Sequence, residues 1–135
     1  MSEKCIFCSI VKRETAAHVI WEDDDFMAFL DAFPHSRGHT LVIPKAHYSR
    51  VTELPREHYD RMLGAVVDTC RRIERLTDSF HVGANQGALA DQVIFHVHFH
   101  IIPRYPNDLG FPTKRKKLED KEAKALLEIL TSPKP

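Results

Sequence analysis

Histidine occurs at every second position from residue 96 to residue 100, at His96, His98 and His100. If this segment is a strand, its two-residue period places the three imidazoles on one face. The other face carries apolar side chains: Val97, Phe99 and Ile101. An imidazole can act as a base, a nucleophile or a metal ligand near neutral pH. Because packing does not explain three histidines opposite an apolar face, the pattern predicts a functional site rather than a surface patch.

The spacing of the three histidines limits what they can do together. Same-face neighbours on a strand are about 6.6 Å apart, and the outer two about 13 Å, at a rise of about 3.3 Å per residue. Zn–N bonds are only about 2.0–2.1 Å long, so His96 and His100 are too far apart to share one ion. We therefore expect the three histidines to have different roles. His98 would carry out the chemistry, and its two neighbours would shape the site.

A Cys-x-x-Cys pattern, from Cys5 to Cys8, lies near the amino terminus. Redox sites of this kind usually open a helix that follows a strand, and no strand is predicted before Cys5. Three cysteines also make a poor disulfide framework. The pattern therefore favours a metal site in a short helix or knuckle. Histidines must complete it, because Cys70 falls at a helix-core position.

The bulk properties indicate one domain of ordinary composition, since 135 residues suffice for a single packed core. A formal net charge of +0 gives no overall basic field to gather nucleic acid or anionic membrane. The basic run 114–117 is interpreted as a solvated face. The first residues lack the apolar core of a signal peptide, and no apolar run is long enough to span a bilayer. We therefore expect a cytoplasmic protein.

Hydrophobic periodicity predicts the elements that position these residues. We expect strands at 19–22, 26–30, 39–45, 80–85 and 96–104, and helices at 55–77 and 118–130. The long helix has one predicted apolar stripe: Tyr59, Met62, Leu63, Val66, Val67, Cys70, Ile73 and Leu76. His58 is expected to face solvent. The first two strands read as a hairpin, the third as the most central strand, and short connections argue for an antiparallel α+β domain.

The segment 96–102, His-x-His-x-His followed by apolar residues, closely resembles the signature of the histidine triad (HIT) family of nucleotide hydrolases and transferases. The segments 38–45 and 29–31 resemble that family's central strand and ribose-contacting strand end. The likeness runs from Cys5 to about Arg104. It implies a HIT fold with a roughly five-stranded antiparallel sheet, one long helix and a carboxy-terminal helix. The chain 1–135 would be a single HIT domain, with a zinc knuckle at 1–11 and a carboxy-terminal loop and helix at 106–135.

The resemblance implies a catalytic role for three histidines. His98 matches the nucleophile that attacks the α-phosphorus of a bound nucleotide and forms a covalent nucleotidyl-histidine intermediate. His100 matches the residue beside the phosphate, where a donor offsets negative charge. His39 matches a further histidine that buttresses the triad. The expected substrate is a purine nucleotide conjugate, either a nucleoside phosphoramidate or a dinucleoside polyphosphate.

The same resemblance implies the substrate contacts. Asp31 matches the carboxylate that accepts hydrogen bonds from the ribose hydroxyls, and Asn85 matches an asparagine on the phosphate or ribose side. The apolar slot for the base would be formed by Ile6, Phe7, Ile10, Phe29 and Ala32. Plain core packing is the alternative for these five residues, and the sequence alone favours it for Ile10 and Ala32.

One segment departs from the family pattern. Relatives often carry Gly-Gln-Ser or Gly-Gln-Thr shortly before the triad, whereas this chain has Asp91, Gln92 and Val93. Gln92 could still contact the leaving group. Val93 cannot donate a hydrogen bond to a phosphate oxygen, which costs on the order of 1.5–3 kcal/mol at a charged acceptor. The alternative function is therefore a zinc-stabilised module that binds purine nucleotides or a partner with little catalysis.

The resemblance also implies the remaining metal ligands. In bacterial-type relatives with the Cys-x-x-Cys pattern, the metal is a structural zinc, and here Cys5, Cys8, His47 and His96 would bind it. Two thiolates and two imidazoles suit Zn²⁺, and a closed site leaves no position open for catalysis. Relatives usually form homodimers with one continuous sheet, so we expect a dimer that takes a small nucleotide substrate.

Overall fold

The computed structural model describes residues 5–108, 110 and 114–133. Parts of the predicted knuckle (1–4) and of the predicted carboxy-terminal region (109, 111–113 and 134–135) lie outside the described residues. In chain order the helices and strands are α1 (Ile6–Val11), β1 (Val19–Glu22), β2 (Phe26–Leu30), β3 (Thr40–Pro44), α2 (Tyr59–Ile73), β4 (Phe80–Gly83), β5 (Phe99–Pro103) and α3 (Asp120–Thr131). Short 3₁₀ turns lie at Val51–Glu53, Arg56–His58 and Ala88–Ala90.

The strands form one antiparallel sheet in the order β1-β2-β3-β5-β4. The predicted hairpin of β1 and β2 is confirmed, and β3 is the middle strand, as its run of apolar residues indicated. Helices and an antiparallel sheet in one domain make this an α+β fold, which confirms the predicted class.

The two faces of the sheet bury two separate sets of apolar side chains. Alternate residues of β2 and β3 point to opposite faces, so every position of both strands is buried. One face packs with α2 and α3 and includes Ala28 and Val42. The other packs with α1 and includes Met27 and Ile43. The short helix α1 is therefore held against the central strands, close to the histidines.

Helix α2 differs from its prediction in length and in its buried face. It begins at Tyr59, because residues 56–58 form a 3₁₀ turn. The predicted stripe is only partly buried: the side chains of Tyr59, Leu63 and Val67 are 49%, 63% and 41% exposed. The core takes a face rotated around the helix, with Met62, Ala65, Val66, Thr69 and Ile73 buried. Apolar periodicity predicted the helix but not which apolar residues meet the core.

The expectation that His58 faces solvent is wrong. Its ring packs edge-on against Phe26 and Tyr48, with ring centroids 5.7 Å and 6.3 Å apart. His58 ends the 3₁₀ turn Arg56–His58 that precedes α2. A residue in that turn does not follow the helical period, so its direction could not be derived from the stripe.

The histidine segment is a strand over only part of its predicted length. β5 begins at Phe99, so His100 lies in the strand while His96 and His98 precede it. The ladder with β3 stops where Val42 pairs with Phe99. Beyond that point the Val97 N–H donates to the carbonyl of Tyr48 at 2.7 Å instead of to β3. His96 and His98 therefore lie outside the strand, so the separations predicted from strand spacing do not apply to them.

Helix α3 covers the α2 side of the sheet and buries Ala123, Leu126 and Leu130, while Leu127 is half-buried. The guanidinium groups of Arg72 and Arg75 on the α2 side donate to the carbonyls of Leu130, Ile129 and Ser132 at 2.6–2.9 Å. These bonds satisfy carbonyls that the end of a helix leaves unpaired. None of the helices in the described part of the chain has the length and apolarity needed to cross a membrane.

Candidate active site and metal centre

Cys5, Cys8, His47 and His96 converge in one cluster, which brings together the four predicted metal ligands. Cys5 is the residue before α1, and its Sγ accepts a hydrogen bond from the N–H of Cys8 at 3.4 Å. His47 follows β3 and His96 precedes β5. One ligand atom from each of the four residues lies within 4.8 Å of all the others.

The separations in this cluster match a tetrahedral zinc site. The Nδ1 atom of His96 is 3.4 Å from Cys5 Sγ and 3.6 Å from Cys8 Sγ, and His47 Nδ1 is 3.3 Å from Cys8 Sγ. The two Nδ1 atoms are 3.2 Å apart. A tetrahedron with bonds of about 2.3 Å to sulfur and about 2.0–2.1 Å to nitrogen has S···N edges of about 3.5 Å and N···N edges of about 3.3 Å. The donor set and its spacing therefore fit Zn²⁺.

Hydrogen bonding orients the His96 ring for binding a cation, which would also stabilise the thiolate forms of the cysteines. The Nε2–H of His96 donates to the carbonyl of Pro44 at 2.8 Å, which leaves the Nδ1 lone pair facing the thiols. Burial and the adjacent Cys5 raise the pKa of Cys8 to about 11. A bound divalent cation reverses that effect, because it stabilises both thiolates.

His98 lies close to the cluster of Cys5, Cys8, His47 and His96, but its ring makes different hydrogen bonds. Its Nδ1–H donates to the carbonyl of His96 at 2.7 Å, because a carbonyl oxygen can only accept. Burial lowers the pKa of His98, so the ring is neutral at pH 7. A neutral imidazole protonated at Nδ1 carries a lone pair at Nε2. His98 is therefore held in the tautomer that a nucleophile requires.

A chain of hydrogen bonds fixes the tautomer of His100. The backbone N–H of His35 donates to His39 Nδ1 at 2.9 Å, so neutral His39 carries its proton on Nε2. That Nε2–H donates to His100 Nδ1 at 3.0 Å. Neutral His100 is then protonated at Nε2 and presents a donor. The rings of His98 and His100 lie with centroids 4.9 Å apart, which places a lone pair and an N–H donor side by side.

Burial keeps these imidazoles neutral. It is the largest cause that lowers the pKa of His39 to about 2 and that of His100 to about 4. Neighbouring imidazoles act in the same direction, because a second positive charge nearby is unfavourable. Since His39 stays uncharged, it acts by donating and accepting hydrogen bonds rather than by its charge.

Asp31 follows β2 and faces His39. Its Oδ1 accepts a hydrogen bond from the N–H of Phe33 at 2.8 Å, while its Oδ2 lies 3.6 Å from His39 Nε2. That contact is too long for a strong hydrogen bond, so Oδ2 can accept one from a ligand. Burial raises the pKa of Asp31 above its ordinary value.

Of the predicted base-slot residues, Phe7, Ile10 and Phe29 are buried together on the α1 side of the sheet, whereas Ile6 is 42% exposed. Ala32 is also exposed. The Phe7 ring packs edge-on against His98, with centroids 5.1 Å apart. Phe7 therefore connects the apolar cluster on the α1 side of the sheet to the ring of His98.

The loop before the triad contains the two predicted polar contacts in very different settings. Asn85 is exposed just after β4. Gln92 is buried, and its side chain fills all four of its hydrogen-bonding positions within the loops. Its Nε2 donates to the carbonyls of Ser49 and Ile94, and its Oε1 accepts from Gln86 Nε2 and the N–H of Gly87. Gln92 thus holds the loop in place, while Val93 is 83% exposed.

Two further residues at the site were not identified from sequence. His35 supplies the N–H that sets the tautomer of His39, and its ring stacks on His39 with centroids 5.3 Å apart. The carbonyl of Pro44 orients His96. The only feature of the sequence that could have identified His35 is its position, four residues before His39 in a loop with Pro and Gly. Backbone atoms carry no sequence signal of this kind.

Comparison with known proteins gives the class to which this fold and site belong. The HIT domain model matches residues 12–107, so the chain belongs to the histidine triad family. An uncharacterized HIT-like protein of Methanocaldococcus jannaschii is 44% identical over 105 residues, which cover 77% of this chain and 81% of that protein. The adenylylsulfatase HINT3 of Arabidopsis thaliana is 39% identical, with 96% of this chain and 69% of that protein covered.

Solved structures agree with this assignment. A hypothetical histidine triad nucleotide-binding protein from Sulfolobus tokodaii superposes with a TM-score of 0.86 at 34% identity, covering 94% of this chain and 89% of that one. A zinc-bound histidine triad family protein from Mycobacterium smegmatis has a TM-score of 0.82 at 34% identity, covering 96% and 95%. The HIT fold predicted from the histidine pattern is thereby confirmed.

Proposed function

We propose that the protein is a nucleotide hydrolase that works by nucleotidyl transfer through His98. One observation carries the proposal: the Nδ1–H of His98 is tied to the carbonyl of His96 at 2.7 Å, which leaves the Nε2 lone pair available. A neutral, oriented imidazole beside an N–H donor suits attack on a phosphorus atom. The relative named an adenylylsulfatase supports hydrolysis of a nucleotide conjugate at the α-phosphate.

The reaction has two balanced steps. His98 Nε2 attacks the α-phosphorus, a P–N bond forms, and the bond to the leaving group breaks with its electron pair going to that group. The His100 Nε2–H donates to the phosphoryl group as negative charge develops. Water then attacks the phosphorus and releases one proton to solvent, the P–N bond breaks, and its electron pair returns to His98 Nε2. The products are a nucleoside monophosphate and the free leaving group.

The remaining residues hold the nucleotide. Asp31 Oδ2 accepts from the ribose hydroxyls, and Asn85 contacts the phosphate or ribose side. Ile6, Phe7, Ile10 and Phe29 form the slot for a purine base, supported by the contact of Phe7 with His98 and Phe29. His39 orients His100. Gln92 supports the loop before the triad, and a contact with the leaving group would require it to exchange one of its present hydrogen bonds.

A structural zinc bound by Cys5, Cys8, His47 and His96 completes the proposal. The ion would tie α1 to the segments after β3 and before β5, and it would fix the backbone carbonyl of His96 that orients His98. Four protein ligands leave the ion no open position for catalysis. Thiolate ligands are suited to a reducing compartment, and we place the protein in the cytoplasm.

We further propose that the single domain, residues 1–135, forms a homodimer through β4 and α2. β4 is the last strand of the sheet, and Val82 on it is 48% exposed. The exposed side chains of Tyr59 and Leu63 line a cavity of about 370 Å³ bounded by α2, the turn before it and Phe99. A second copy would cover these apolar residues and extend the sheet across the dimer.

The test is a search for the covalent intermediate. Wild-type protein is mixed briefly with adenosine phosphoramidate, quenched, and measured by intact mass spectrometry. We expect an increase equal to one adenylyl group, located on His98 by peptide mapping. The His98→Ala variant, with unchanged circular dichroism, should show none. Turnover of substrate without an adduct on the wild type under any quench time would contradict the covalent mechanism.

The second candidate function is a nucleotide-binding or interaction module with little catalysis. It is favoured by Val93, whose exposed side chain offers no donor where many relatives carry a hydroxyl. In that case the protein binds a nucleoside monophosphate but neither forms an adduct nor releases product. Introducing the hydroxyl with Val93→Ser should then create measurable turnover.

A further inference from the structure

The carboxylate of Asp31 and the imidazole of His100 both lie near one N–H group, the Nε2–H of His39. The Nδ1 atom of His100 is 3.0 Å from His39 Nε2. The Oδ2 atom of Asp31 is 3.6 Å from the same nitrogen. One proton therefore faces two acceptors, of which one is neutral and the other is negatively charged when Asp31 is ionised.

Asp31, His39 and His100 have the composition of a metal site, and one ligand atom from each lies within 4.8 Å of the others. The hydrogen bonds favour a different interpretation. The backbone N–H of His35 donates to His39 Nδ1 at 2.9 Å, so the Nε2 of neutral His39 carries a proton and has no lone pair for a cation. Burial lowers the pKa of His39 to about 2, which keeps the ring neutral. The Nε2 of His39 is therefore a hydrogen-bond donor with a single proton to give.

Backbone hydrogen bonds hold Asp31 opposite His39. The ladder between β2 and β3 ends at the pair Leu30 and Thr40, and one residue further the N–H of Asp31 donates to the carbonyl of His39 at 2.9 Å. The N–H of Phe33 donates to Asp31 Oδ1 at 2.8 Å, which leaves Oδ2 as the oxygen that faces His39. The Asp31 side chain is only 15% exposed, so bulk water solvates it poorly. The fold itself therefore keeps the carboxylate beside the His39 proton.

The direction of the His39 N–H determines the protonation pattern of His100. When it donates to His100 Nδ1, neutral His100 carries its own proton on Nε2 and presents the donor that the proposed mechanism uses. When it turns toward Asp31, His100 is free to carry its proton on Nδ1, and Nε2 then bears a lone pair that repels a phosphoryl oxygen. A carboxylate is the stronger acceptor of the two, because hydrogen bonds to charged groups are stronger. An unoccupied Asp31 therefore weakens the donor state of His100.

Ribose hydroxyls remove this competition. Each hydroxyl donates one proton, and an ionised carboxylate has no proton of its own and accepts through both oxygens. Two neighbouring hydroxyls bound to Asp31 would occupy the lone pairs of Oδ2 and offset its negative charge. The proton of His39 would then be left to His100.

We propose that Asp31 is a positioning residue that couples recognition of the ribose to the catalytic tautomer of His100 through His39. The proposal rests on the function proposed above, in which Asp31 binds the ribose, and adds that ribose binding accelerates the chemical step. No net proton is gained or lost, because His39 keeps its proton on Nε2 and the single proton of His100 is held at Nε2. Conjugates with an intact ribose are thereby selected in the transition state as well as in binding.

The first experiment separates binding from chemistry with two substrates that differ only at the ribose. Single-turnover rate constants at saturating substrate are measured for adenosine phosphoramidate and for its 2′,3′-dideoxy form. A ribose contact that serves binding alone raises KM and leaves this rate constant unchanged. We expect the dideoxy substrate to react with wild type about three- to tenfold more slowly, in line with the net contribution of one hydrogen bond. Equal rate constants for the two substrates would overturn the proposal.

Asp31→Asn tests whether the effect passes through the carboxylate. The amide keeps the size of the side chain but removes the charge that competes for the His39 proton, so the two rate constants should differ by less than about twofold. Asp25→Asn is the matched control, since it removes a carboxylate at the distant hairpin, and it should keep the wild-type difference. A difference in Asp31→Asn as large as in wild type would show that the ribose acts by another route.

A measurement without turnover reads the tautomer in wild-type protein. The nitrogen NMR shifts of the His100 ring, assigned by their loss in His100→Gln, are recorded with saturating adenosine or 2′,3′-dideoxyadenosine. We expect adenosine to move Nδ1 toward the shift of an unprotonated nitrogen and Nε2 toward that of a protonated one, and the dideoxy nucleoside to have a smaller effect. Identical shifts with both nucleosides would overturn the proposal, whether or not Asp31→Asn is active. Absence of turnover by wild type, together with the expected shifts, would contradict the hydrolase function alone.

Discussion

At the scale of single residues, the site is set by which ring nitrogen of each histidine carries the proton. Carbonyls of the backbone choose the tautomers of His96 and His98, and a backbone N–H chooses that of His39. In the proposed mechanism the three triad histidines therefore have three functions, although they share one side-chain type. His96 turns a lone pair to the metal cluster, His98 holds a lone pair for attack, and His100 presents a donor.

The pH dependence of activity follows from the state of His98. Attack needs the neutral ring, and burial lowers the pKa of His98 below the ordinary value of about 6.5. As pH falls from 7.5, the neutral fraction therefore stays high past pH 6.5 and declines only below it. We expect the acid limb of log kcat/KM, which reports the free enzyme, to have its midpoint below 6.5.

The charge of Asp31 gives a check on that assignment, because it raises the pKa of His98 in opposition to burial. Asp31→Asn should move the acid limb further toward low pH, whatever it does to KM. Asp25→Asn, which removes a carboxylate at the distant hairpin, should leave the limb in place. An acid limb at or above pH 6.5 in the wild type would show that His98 is not the titrating nucleophile.

At the scale of elements, the six residues of α1 are held in place partly by the cluster of Cys5, Cys8, His47 and His96. α1 is shorter than an isolated helix needs to be stable, and Cys5 and Cys8 attach it to segments 39 or more residues away along the chain. The same attachment carries His96, whose carbonyl orients His98. Packing of Phe7 and Ile10 on the sheet gives the helix a second support.

Removing the metal should therefore loosen the fold and the site together. We expect one zinc per chain by atomic absorption, and a fall of several kcal/mol in the free energy of unfolding on chelation, since ligand binding and folding are coupled at such sites. Cys8→Ser should reproduce both effects. Cys70→Ser, at a half-buried thiol outside the cluster, should keep its zinc. Full zinc occupancy in Cys8→Ser would contradict the assigned ligand set.

At the scale of the whole molecule, α2 carries apolar surface on the side away from the core. Tyr59, Leu63 and Val67 continue the apolar stripe of the helix but remain 41–63% exposed. β4 supplies an open sheet edge in the same domain. The apolar residues of α2 therefore form two faces, one buried in the core and one exposed, and the exposed face is the surface that we propose for a second copy.

The dimer proposal predicts the effect of a charge on that surface. Leu63→Asp should convert the dimer to a monomer in analytical ultracentrifugation, because two carboxylates would be buried against apolar side chains. Ala125→Asp, on an exposed position of α3, should leave the dimer intact. A wild-type sedimentation coefficient that corresponds to a monomer at all accessible concentrations would reject the dimer.

The sequence by itself determined the fold class, the positions of the strands along the chain, and the histidine and cysteine motifs. It could do so because hydrophobic alternation and residue chemistry are local properties. Only the tertiary structure decided where β5 begins, which side of α2 is buried and that His58 packs inward, because each depends on contacts between segments far apart in the chain. The same holds for the tautomers of His96, His98 and His100. Each is set by a backbone atom or a side chain that the folded chain brings to the ring. The residue type alone does not show which ring nitrogen carries the proton.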